Sequence, residues 1–197
     1  MIPTTSALDE IKQPDIRKML EGRAHALLNG AFLKRSHAIF HQPRRLAVCH
    51  EVGHAVVYVA QGDTVASIEV SQSENLPNFW GGYTNVPGVE NISTRDSPEQ
   101  IRLFIHRKIS GYAGELELAK DRKITVASAV DEIVVSQYFA ERAKLDWEAL
   151  LVECRGIIRK HRDVAHELIA VLKHKDKIEG DELQIPLSRI TVETEPD

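Results

Sequence analysis

From Leu46 to Ala60 the chain reads L-A-V-C-H-E-V-G-H-A-V-V-Y-V-A, apolar on nearly every face of the helix it predicts, with Gln61-Gly62 as the stop. A helix of this kind has to be surrounded by other elements, so the rest of the fold is built around it. Its polar residues, His50, Glu51 and His54, therefore need partners in the interior. Burying such groups without compensation costs roughly 2–7 kcal/mol for a neutral group and far more for an ion.

The pattern H-E-x-x-H at His50–His54 supplies a reason for them. Histidines four apart on a helix stand one above the other, within reach of a single cation. Imidazole nitrogens suit zinc, and a catalytic zinc site takes three protein ligands and leaves a position open. Glu51 follows the first histidine directly and is placed as a general base, able to take a proton from an attacking water and return it to a leaving amine. One Zn²⁺ per chain is expected. The third ligand is left open by spacing alone: Glu115, Glu117, Asp131, Glu132 and His106 are candidates. Asp131 also has a purely structural use, in the first turn of a helix with Ser128 as N-cap, where a carboxylate meets the helix dipole.

Around the central helix the periodicity predicts an α+β fold, mostly helical, with a small sheet. Apolar residues recur at helical spacing from Asp15 to Phe40, with Gly22 and Gly30 as possible breaks. Val65–Val70 and Phe79–Val86 read as two strands. Ser97 and Gln100 form a capping box that opens a helix from Pro98 to about Ala119, and Ser110, Gly111, Ala113 and Gly114 give it a small-residue face suited to close backbone approach. A helix from near Ser128 to Ala143 and a long helical stretch from Trp147 to Lys173 follow, then a polar tail. The division expected is residues 1–42 as a helical extension, 43–183 as the main unit with a C-terminal helical bundle, and 184–197 as a tail.

With 25 basic and 29 acidic residues in 197, and a net charge of -4, charge suggests no nucleic acid and no anionic membrane as partner. No apolar run approaches a membrane span, and Met1–Glu10 lacks a signal-peptide core. The two cysteines, Cys49 and Cys154, could pair, but Cys49 falls inside the apolar helical pattern beside His50 and reads better as a buried thiol, which fits a reducing, cytoplasmic setting.

The order of motifs resembles the zinc protease domain of the FtsH family of membrane AAA proteases. Val48–Ala55 is similar to that family's A-x-H-E-A-G-H-A, and Gly82-Tyr83-Thr84 to the G-Y-T after its paired strands. Ile109–Glu115 resembles L-G-G-R-A-A-E, and Val126–Asp131 resembles T-G-A-S-N-D. The likeness spans about Arg45 to Leu183. It implies a zincin-like zinc endopeptidase with Asp131 as third ligand and Glu115 as a partner that orients a ligand histidine. It further implies that extended substrate adds to the strand carrying Gly82, Tyr83 and Thr84. Ser110, Tyr112, Gly114, Ala127 and Val130 depart from the family pattern. No phosphate-binding G-x-x-x-x-G-K-[ST] occurs, so the expectation is ATP-independent hydrolysis of unfolded polypeptide, with a homo-oligomer possible. The competing expectation is a regulatory or scaffold protein that keeps the metal site with little turnover, against which the intact Glu51 argues.

Overall fold

In the computed structural model, which describes residues 7–34, 42–74, 79–88, 96–119 and 129–192, helix α2 (Arg44–Ala60) lies at the centre. Pro43 precedes its first turn with φ −65°, already set for a helix start, and the segment Leu46–Val57 is buried without interruption. Before it stands α1 (Pro14–Lys34), a single helix through Gly22, preceded by a 3-10 turn at Ala7–Glu10. The expected continuation to Phe40 lies outside the described residues. Leu8, Leu20 and Ala24 join the same apolar core as α2, so the first helix packs as part of the main body, chiefly against α4 (Val130–Ala143).

The sheet has three antiparallel strands in the order β2-β1-β3. β1 (Ser67–Gln72) and β2 (Trp80–Asn85) are the pair read from sequence, with Ile68 opposite Thr84, Glu69 opposite Tyr83 and Val70 opposite Gly82. β3 (Lys177–Glu179) was not anticipated; it is three residues long, with Ile178 buried between exposed neighbours, too short to show a period. β1 and β2 pack one face on α2.

Helix α3 (Pro98–Leu118) opens with the expected box: Gln100 N donates to Ser97 Oγ at 3.2 Å, and Ser97 N donates to Gln100 Oε1 at 2.9 Å. Its small-residue face meets α2 backbone to backbone. A Cβ on Gly53 would stand 2.4 Å from Ser110 O and one on Gly114 2.4 Å from Cys49 O, so both positions are confined to glycine by the crossing itself.

The long helical stretch expected from Trp147 to Lys173 consists of two helices, α5 (Trp147–Lys160) and α6 (Arg162–Leu172), with His161 between them. Leu150, Leu151, Cys154, Ile157, Ile158, His161, Val164, Ala165, Leu168 and Leu172 are buried in unbroken helical rhythm, which is why periodicity hides the turn. The expected tail is also partly ordered core: α7 (Asp181–Leu187) runs past residue 183, and Leu187 and Ile190 are buried. Cys49 and Cys154 are free and buried, and burial pushes the Cys49 thiol up to about 11. Among the described residues no helix is long and apolar enough to cross a membrane.

Candidate metal centre

On α2 the i, i+4 spacing stacks the imidazoles of His50 and His54 with ring centroids 4.8 Å apart, both buried. Their Nε2 atoms face one another at 3.1 Å. Into the same place the first turn of α4 sends Glu132, with Oε1 2.9 Å from His54 Nε2 and Oε2 3.4 Å from His50 Nε2. The ligand atoms of these three residues lie within 4.8 Å of one another, the one such group among the described residues.

Asp131, favoured by the resemblance, is not in that group, and Glu132 takes the place instead. The reason is helix phase. The first intrahelical bond of α4, from Ile133 N to Ala129 O at 2.8 Å, makes Ala129 the N-cap, whereas the expected N-cap, Ser128, lies outside the described residues. Successive helix residues point about 100° apart, so only one of the two can face the histidines.

The other candidates have different partners. Glu117 receives Arg155 at 2.8 Å and Arg159 at 2.7 Å, and His106 lies 3.3 Å from Glu153. Glu115 is fully buried and its Oε1 sits 2.8 Å from His50 Nδ1, the orienting position expected of it. His54 Nδ1 is likewise occupied, 2.8 Å from Ser110 Oγ and 3.1 Å from Arg107 O. Gly111 makes room for the ring between them: a Cβ there would come within 2.3 Å of His50 Nε2.

Glu51 lies on the sheet side of α2. Thr84 Oγ1 donates to its Oε2 at 2.8 Å and is 3.0 Å from its backbone oxygen, while a Cβ on Gly82 would stand 2.4 Å from its Cγ. Gly82 and Thr84 thus seat the base directly. Tyr83, between them, faces the opposite side of the sheet by strand alternation, beside Glu69, and is 37% exposed.

Burial disfavours charge at Glu51, Glu132 and His50, and the outcomes differ. At Glu51 burial wins over the nearby His50, His54 and Thr84, and the pKa is raised. At Glu132 burial is outweighed by His54 and His50, so the carboxyl is held well below the usual carboxylate range. At His50 burial is outweighed by Glu132 and Glu115, and the pKa is raised well above its ordinary value. Two carboxylates in one pocket are thereby driven apart, one fixed as an anion and one with a higher proton affinity, the division that acid–base sites use.

The donor set fits a metal ion on its own geometry. With Nδ1 of both histidines beside oxygen partners, both Nε2 atoms are turned toward Glu132 and toward each other, an arrangement that suits a cation between them. Two zinc–nitrogen bonds of roughly 2.0–2.1 Å at a tetrahedral angle set the nitrogens roughly 3.3–3.4 Å apart. The separation found is 3.1 Å. Glu132 Oε2 is buried with no hydrogen-bond partner among the described residues, as an oxygen reserved for a cation is. Two imidazoles and one carboxylate form a set suited to zinc. No protein-family model matches the chain, and no curated protein matches it.

Proposed function

We propose that this chain is a zinc-dependent endopeptidase of zincin type that hydrolyses extended or unfolded polypeptide without ATP. The observation that carries the reading is the buried group of His50, His54 and Glu132 with Glu51 held beside it by Thr84. His50, His54 and Glu132 would hold the ion. Zinc, when bound, supplies a Lewis acid for a scissile carbonyl and acidifies a water molecule. Glu51 takes the proton of the attacking water and passes it to the departing amine; its raised pKa suits a group that must both accept and release a proton.

The substrate class follows from β2. It is an edge strand, half-exposed along most of its length, and it directly bears the residues that seat Glu51. An extended peptide laid along that edge would hydrogen-bond to the main chain of Gly82 and Thr84, Tyr83 turning its main-chain groups toward β1, and bring its own backbone to the base. The resemblance to the FtsH zinc protease domain agrees with this placement, with Glu132 proposed as ligand in place of Asp131. The buried thiols fit a cytoplasmic setting.

Incubating an unfolded protein with wild type and with Glu51→Gln, each with its zinc content measured, tests the proposal. Both should hold about one zinc per chain, and the variant should lose hydrolysis by roughly a hundredfold or more, since general-base catalysis is worth about 10²–10⁴. Zinc-loaded wild type inactive on every unfolded substrate would leave the regulatory role as the better account.

A further inference from the structure

We infer that Ser110 is a positioning residue for His54, fixing the proton on Nδ1 so that Nε2 is presented as a ligand. The inference rests on the metal reading of the site and not on its peptidase activity.

Ser110 is fully buried on the face of α3 that crosses α2. Its hydroxyl donates to Arg107 O at 2.7 Å, one helical turn back. With its single proton spent there, the oxygen turns a lone pair toward His54 Nδ1 at 2.8 Å and can only accept from it. Arg107 O itself lies 3.1 Å from the same nitrogen. A bare Nδ1 lone pair would face two oxygen acceptors, so Nδ1 carries a hydrogen; Nε2 faces the Glu132 carboxylate at 2.9 Å, and a cation between them is what would take the Nε2 lone pair. The arrangement parallels the one at His50, where Glu115 plays the same part from one turn further along α3. Spaced i, i+5 along one helix, Ser110 and Glu115 hold ligands that are spaced i, i+4 on the other. They reach them because Gly53 and Gly114 let the two backbones touch.

A serine that merely bonds its own helix backbone would also show the contact to Arg107 O. The contact to His54 separates the two roles, because only a positioning hydroxyl ties the metal's affinity to this side chain. Ser110→Ala and Ser110→Gly both remove it, but glycine destabilises a helix interior more. Zinc affinity is measured by chelator competition on the folded chain, with thermal melting of the apo forms and the visible spectrum of the cobalt-substituted protein alongside. Both variants should bind zinc about tenfold more weakly than wild type, as loss of a supporting hydrogen bond at a metal ligand does. The loss should be similar in the two despite their different melting temperatures, with an altered cobalt spectrum in each. Affinity unchanged from wild type, affinity that simply tracks the melting temperature, or a Ser110→Ala chain that does not fold would each overturn the assignment by making the hydroxyl structural. Wild type that binds no zinc at all would overturn the metal reading, and this inference with it.

Discussion

At the scale of single residues, the site turns on a distinction of one position. Asp131 and Glu132 share the first turn of α4, where either carboxylate meets the helix dipole favourably, yet only Glu132 lies within 3.4 Å of both imidazoles. Removing Glu132 leaves two ligands where three stood; removing Asp131 leaves all three. In a chelator competition Glu132→Ala should therefore lose more zinc affinity than the roughly 10–100-fold typical of changes at residues that support ligands, and Asp131→Ala should lose less. The reverse order would return the ligand role to Asp131. His50, Glu51 and His54 were legible from sequence because their spacing and their cost of burial coincide on one apolar helix. The acid that completes the group was not, because which of two neighbouring carboxylates faces the histidines depends on how α4 is oriented against α2, a tertiary fact.

At the scale of elements, α3 does the most to build the site. Its capping box and its small-residue face were readable, since both are local patterns; what the face approaches is a tertiary fact. The hinge at His161 and the strand β3 were not readable, the first because burial periodicity continues across it and the second because three residues show no period. The lower end of α3 is tied to α5 by Glu117, whose side chain is only 6% exposed and which Arg155 and Arg159 engage. Burial raises its pKa, the hydrogen bonds from Arg159 and Arg155 lower it, and the net shift is downward. A carboxyl with a folded-state pKa below its unfolded value stabilises the fold above the unfolded pKa, about 4.3, and loses that contribution as pH falls through the folded value. Glu117→Gln should consequently lower the melting temperature near neutral pH, by the few degrees that about 1–2 kcal/mol makes in a chain of this size. The difference from wild type should shrink as the pH is taken below about 4. A melting difference that holds constant down to acid pH would assign the effect to packing and not to the ion pairs.

At the scale of the whole molecule, the proposed function sets limits on what this chain would cut. Glu51 and the two histidines share the buried helix α2, and β2 borders Glu51 through Thr84. The start of that edge is closed by the bridge between Gln42 and Phe79, with Trp80 N donating to Gln42 O at 3.0 Å; among the described residues it pairs with no strand beyond that point except β1. In the proposed function a substrate reaching Glu51 would run extended alongside Gly81–Asn85, and a segment still inside a helix or a sheet has no free main-chain groups to offer there. Pulling such a segment out means opening its domain, at about 5–15 kcal/mol, more than a few edge hydrogen bonds at about 0.5–1.5 kcal/mol each return. The sequence carries no phosphate-cradling loop through which ATP could supply the difference. The purified chain should therefore degrade a permanently unfolded variant of a compact protein and leave the folded form intact apart from loops and termini, at rates indifferent to ATP, with Glu51→Gln as the blank. Equal degradation of both forms, or acceleration by ATP, would show that the substrate need not arrive extended and that the β2 edge is not where it binds.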